Sequence, residues 1–191
     1  MRKIFFLTAL FLNIVSSIAQ VRLEGKFISE KTKLKPTEEI LIEIVENRKS
    51  TFSDSTGNFI LNNLEKNKQY TLKLNSFQFG SLIVAFKTEN DTIIKKVFEI
   101  KANCDFDNET AKIEWKKKKA KLYLIGSIAP KANSKADKKF EKKYNIKYYD
   151  FGCTPAPTEC IIEYNKEVLK LLETEYGKEW KTEVRNDVVV D

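Results

Sequence analysis

No histidine occurs among the 191 residues. That excludes a Ser-His-Asp triad, a Cys-His dyad and any zinc or iron site built on imidazole. Glycine is scarce, at six residues, and no Gly-rich phosphate loop or Gly-x-Gly-x-x-Gly turn can be assembled from them. The three cysteines, at 104, 153 and 160, contain no Cys-x-x-Cys spacing, so a thioredoxin-type redox motif is missing too. Past the first few residues only Arg22, Arg48 and Arg185 are arginines, and lysine supplies most of the net charge of +7. Nucleic-acid surfaces favour the bidentate guanidinium, so nucleic acid is not the expected partner. After residue 19 no apolar run approaches the ~20 residues of a spanning helix, which leaves no transmembrane segment.

The first residues differ from the rest. Arg2 and Lys3 precede an apolar stretch from Ile4 to Val15, and Ser17-Ile18-Ala19 places small residues at −3 and −1 of a cleavage site. This is a secretory signal pattern, with removal of residues 1–19 before Gln20. No cysteine follows the apolar run to accept a lipid. The mature chain is then expected to be exported, periplasmic or secreted, with net charge +5 and in a compartment that permits disulfides.

Residues 21–100 read as about seven short strands: Val21–Ile28, Ile40–Val45, Thr51–Ser53, Asn58–Leu61, Tyr70–Leu74, Leu82–Phe86 and Thr92–Ile100. Strands this short and closely spaced, divided by polar turns, predict a β-sandwich. Asp54-Ser55-Thr56-Gly57 fits a hairpin turn, with Asp bonding its own backbone and Gly supplying positive φ. The string Thr51-x-Ser53-Asp54-x-x-Gly57-Asn58-Phe59-x-Leu61-x-x-Leu64, with Leu23-Glu24-Gly25 before it and Tyr70-Thr71-Leu72 after it, resembles the carboxypeptidase regulatory-like domain. The Gly-Ala usual before its second strand is absent; Thr37-Glu38-Glu39 stands there. The resemblance implies a transthyretin-like Greek-key sandwich over residues 20–101 with no catalytic role. It also assigns Asp54, Gly57, Asn58 and Phe59 to a turn and a core. Metallocarboxypeptidases hold their metal in another domain through histidine, which this chain lacks.

Residues 102–191 change period and read as a small α/β part. Helices are predicted over Asp107–Lys119 and Asp137–Tyr144, and strands over Leu122–Gly126 and Lys147–Gly152. A long helix follows Pro157, with Ile161, Val168, Leu172 and Tyr176 on one face and Gly177 at its end. Trp180, Val184 and Val188 predict a final helix. The β-α-β order predicts a parallel pair, too small to stand alone, so this part should dock on the sandwich or depend on a disulfide. The whole is α+β. The strings Phe140–Tyr144, Asp150–Cys153, Glu163–Asn165 and Tyr176–Trp180, with Arg185 and Asp187, resemble uncharacterised exported bacterial proteins, which implies no activity.

Charge is segregated: residues 112–147 carry +10 and residues 148–191 carry −5, which favours packing one segment against the other, the alternative being two independently solvated faces. Lys116 to Lys119 read as a solvated helix end that complements the helix dipole; the alternative is a site for an anionic glycan or phospholipid head group. Asp105, Asp107 and Glu109 read as an N-cap with favourable charges, the alternative being Ca²⁺ ligation without the glycine or distal Glu of an EF-hand. Cys153–Cys160 is the favoured disulfide, with Cys104–Cys153 and Cys104–Cys160 as alternatives and one thiol left over.

Two readings of function follow. One is a non-catalytic binding or structural module of the bacterial envelope, whose partner is an envelope protein or a glycan, with no cofactor and no metal. The other is a small hydrolytic or thiol enzyme with a site around Asp150, Cys153 and Arg185, after a strand end. Asp150, Arg185 and Asp187 also read as a polar cluster, against the plainer readings of turn capping for Asp150 and packing against Trp180 for Arg185 and Asp187.

Overall fold

The computed structural model describes residues 20–125, 131–154 and 156–190. The expected signal segment, residues 1–19, lies outside these, as does Gly126 at the end of a predicted strand. The chain order is β1 (Val21–Ser29), β2 (Leu41–Ile44), β3 (Lys49–Phe52), β4 (Asn58–Leu64), β5 (Gln69–Ser76), β6 (Gly80–Lys87), β7 (Ile93–Ile100), α1 (Asn108–Lys116), β8 (Lys121–Leu124), α2 (Lys135–Tyr144), β9 (Lys147–Asp150) and α3 (Thr158–Tyr176), then a 3-10 turn at Glu179–Thr182.

β1 to β7 form two sheets, ordered β4-β1-β7 and β3-β2-β5-β6. β1 shows how the sequence builds them. Val21, Leu23, Gly25, Phe27 and Ser29 alternate inward while Arg22 and Lys26 face water, the period of a half-buried strand. The inner faces meet over one apolar core, where Phe86 of one sheet stands edge-on to Phe98 of the other at 6.1 Å. The result is a β-sandwich. β1 pairs antiparallel with β4 but parallel with β7, a non-local contact that alternation alone does not announce.

The Asp54 turn fixes one side of that core. Its Oδ1 accepts from the Thr56 hydroxyl at 2.6 Å and from the Thr56 and Asn58 N–H groups at 2.8 and 2.9 Å. Gly57 has φ 82°, and a Cβ there would meet the Phe27 carbonyl oxygen at 2.7 Å. The turn delivers Phe59 onto Phe27, with stacked centroids 4.6 Å apart. The Phe59 ring lies over Gly25 where any side chain would sit. Gly25→Ala should therefore destabilise by about 1–3 kcal/mol, the usual cost of overpacking. Urea unfolding measures it, and an unchanged midpoint would show that Phe59 moves aside freely.

Hydrogen bonds from the Thr56 hydroxyl and then the Asn58 backbone hold the Asp54 carboxyl down to about 2, against 3.8 for a free one. Because the folded value is the lower one, the stabilisation is complete above the unfolded pKa and drains away as pH falls through the folded value. Asp54 should titrate with an NMR midpoint near 2 rather than 3.8; a midpoint at the higher value would mean that the turn does not hold the charge.

The second half builds its own core, in which Ala111, Leu122, Phe140, Ile161, Tyr164, Val168 and Leu172 are buried. β8 and β9 pair parallel, and α1 and α3 pack on each other. Asn165 of α3, fully buried, accepts from the Tyr123 N–H and donates to the Tyr123 and Val189 carbonyls, all at 2.8 Å. It ties α3 to β8 and to the C-terminal segment. The predicted final helix is not formed. Gly177, at φ 72°, ends α3, Trp180 turns into the core on the 3-10 turn, and Val188 bridges antiparallel to Leu124. The i, i+4 recurrence of Trp180, Val184 and Val188 reflects a shared buried side, met here by a turn and an extended run.

The halves join at the start of α3. The N–H groups of Thr158 and Glu159 donate to the carbonyls of Phe77 and Gln78 in the β5–β6 turn, at 3.0 and 3.1 Å. Glu159, 8% exposed, accepts from the Ser29 hydroxyl at 2.9 Å and from the Ala102 N–H at 2.8 Å. Lys31 pairs with Glu163 one turn further on.

Beside these contacts the disulfide corrects the expectation. Cys160 pairs with Cys104, with Cα atoms 5.6 Å apart, and Cys153 is free and exposed. Sequence proximity favoured Cys153, but the docked end of α3 points Cys160 at the linker after β7. Cys153 lies in the turn after β9, on the outside.

Candidate functional site

The polar residues singled out in the sequence separate into two local structures. Asp150 ends β9, and its Oδ1 accepts from the Gly152 N–H at 2.7 Å, a turn closed by Gly152 at φ 64°. Cys153 follows it into solvent. Arg185 lies elsewhere, its side chain only 8% exposed. Its Nε and Nη2 make a two-pronged bond to Asp187 at 2.8 and 2.7 Å, and Nη1 donates to Asn133 at 2.8 Å. Asp137, which caps α2 through Ser134, lies 3.9 Å from Nη1. The guanidinium also sits over the Tyr148 ring at 5.4 Å.

Bonding to Asp187 raises the Arg185 pKa further, and the same bond lowers that of Asp187. Burial pushes the Tyr148 hydroxyl up to about 12, so it stays protonated at neutral pH. Among the described residues no hydrogen bond or ion pair joins Asp150 or Cys153 to Arg185. The Arg185 group acts as a clamp that pins the C-terminal segment to α2 and β9. Arg185→Lys keeps the charge but loses the fork, and should cost about 1–2 kcal/mol in urea unfolding. A loss equal to zero would show that the fork is incidental.

Among the described residues no group of three or more Cys, Asp or Glu is placed to hold a metal ion. Asp107 caps α1, accepting from the Thr110 N–H at 2.8 Å, and that bond lowers its pKa.

A different site emerges where α1, α2 and α3 end. Trp115, Tyr144 and Tyr176 wall an open cleft of about 460 Å³. The Tyr144 and Tyr176 rings meet edge-on at 5.2 Å, and the Trp115 N–H donates to Glu175 at 3.0 Å, which fixes the indole. Lys116, Lys118 and Asn145 lie on the rim.

Lys118 and Asn145 both adopt left-handed backbone, with φ 56° and 54°. At α1 this closes the helix end: the Lys118 N–H reaches the Trp115 carbonyl at 2.9 Å and the Lys119 N–H the Glu114 carbonyl at 2.8 Å. Glycine is the ordinary occupant of such a position, and a lysine there costs about 1–2 kcal/mol.

The sequence places Tyr176 on a helix face, Tyr144 at the end of a helix and Trp115 inside one. It did not reveal that three helix ends converge, because that depends on how the helices pack.

No protein-family model matches the chain, and none of the curated proteins matches its sequence. Among solved structures it is similar to BcpA, the major pilin subunit of Bacillus cereus, at 16% identity and TM-score 0.33, over 44% of this chain and 30% of the pilin. A cohesin–X-dockerin complex from Acetivibrio cellulolyticus is similar at 15% identity and TM-score 0.34, over 59% of this chain and 80% of that one. The chain thus spans under a third of the pilin's length, and no residue role is carried over from either protein.

Proposed function

We propose that this chain is an exported, non-catalytic binding module of the bacterial cell envelope. Residues 1–19 are its signal peptide, residues 20–101 a carboxypeptidase regulatory-like Greek-key sandwich, and residues 102–191 an α/β part that carries the binding surface. The observation that carries the reading is the fate of the polar residues. Arg185 is committed to Asp187 and Asn133, and Asp150 to the Gly152 backbone, so each serves its own local structure. The Cys104–Cys160 bond supports export, because such a bond persists in an oxidising compartment.

Fractionation and mass spectrometry of the native protein test this. The expected product starts at Gln20, lies outside the cytoplasm, and carries one alkylatable thiol before reduction, at Cys153. An intact N-terminus with three alkylatable thiols would overturn it.

A further inference from the structure

We infer that the cleft where α1, α2 and α3 end binds an acidic oligosaccharide of the uronate type, its sugar faces on the rings and its carboxylates on Lys116 and Lys118. This rests on the binding-module reading and names the ligand class. A sugar ring has an apolar C–H face and a polar rim, which suits a wall of aromatic faces set among polar groups. The reachable rings are those of Trp115 and Tyr176, and both are held before any ligand arrives, Trp115 by its bond to Glu175 and Tyr176 by standing edge-on to the buried Tyr144 ring. Asn145 and Glu175 face the same space and can exchange hydrogen bonds with hydroxyl groups.

Charge selects the acidic member. Among the described residues no ion pair engages Lys116 or Lys118, nor Lys117 or Lys119 beside them. Against them stand Glu175 and three helix C-termini, each worth roughly half a negative charge. Four lysines within about a Debye length exceed that total. Lys118 is also kept on the rim in a backbone conformation suited to glycine. A membrane surface fits less well, because interfacial binding wants apolar tips that project. Here Tyr144 is buried, Trp115 is part-buried, and Tyr176, at 37% exposed, is the most exposed ring of the three, too little apolar area for an interfacial anchor.

Calorimetry on the exported chain would compare an oligogalacturonate, a cello-oligosaccharide of equal length and phosphatidylglycerol vesicles. The acidic sugar should bind at least about tenfold more tightly than the neutral one and weaken as salt rises. Lys116→Glu with Lys118→Glu should lower its affinity about tenfold or more. The thermal midpoint should fall only slightly, by what two exposed charges at a helix C-terminus are worth, since neither side chain is buried. Tyr176→Ala should weaken both sugars together. Equal affinity for acidic and neutral sugars, indifference to charge reversal, or binding to vesicles alone would overturn the inference and leave the module reading standing. Shortened sugar products that disappear in the Lys116→Glu, Lys118→Glu chain would overturn the non-catalytic reading while supporting the cleft as the ligand site.

Discussion

Replacing Cys104 and Cys160 together by alanine should cost the folded chain about 4 kcal/mol, while Cys153→Ala changes stability by less than about 0.5. The two bonded cysteines are 56 residues apart, so the crosslink closes a long loop and restricts the unfolded chain strongly. It spans the whole path from the end of β7 through α1, β8, α2 and β9 to the start of α3. Urea unfolding with and without reductant checks it: reduction should shift the wild-type midpoint and leave the double variant unmoved. A loss below about 1 kcal/mol would mean that linker and helix are held by their other bonds alone.

Glu159→Ala should be comparably damaging, on the order of 4 kcal/mol. The Ser29 hydroxyl and the Ala102 N–H both donate to this carboxylate. Without it two buried donors lose their acceptor, at about 1–3 kcal/mol each. Glu159→Gln should lose much less, because the amide keeps one acceptor oxygen and the Ser29 hydroxyl can rotate to accept from its NH₂. Equal losses for Ala and Gln would point to the charge rather than to hydrogen bonding. Hydrogen exchange provides a second readout, since in the Ala variant the Ala102 amide should exchange faster than the inner strands. An unchanged Ala102 rate would remove Glu159 as the bond that holds the halves.

Both effects arise at a contact that sequence patterns describe poorly. Glu159 reads as an ordinary acid in the first turn of a helix, a favourable place near the positive end of the dipole. Nothing local distinguishes it from Glu163 one turn on, yet it is buried against the linker after β7 and the end of β1. Asn165 is the same kind of case: a polar residue on an apolar helix face, whose partners are the β8 backbone and the C-terminal segment. The final helix failed for a related reason. Recurrence at i, i+4 reports a shared buried side, and a 3-10 turn followed by a β-bridge satisfies it as well as a helix does.

Where the determinants are local, residue types were enough. The alternation in β1 and β5 sets which side chains face the core, and Asp107 caps α1 where its spacing placed it, whereas α2 begins two residues before the expected Asp137, behind a Ser134 cap. The absence of histidine holds independently of any fold, and it removes imidazole chemistry from every site in the chain. Tertiary structure alone decided the partner of Cys160, the burial of Glu159 and the meeting of three helix ends around Trp115, Tyr144 and Tyr176. Each depends on how rigid elements dock across tens of residues, and spacing along the chain does not encode those distances.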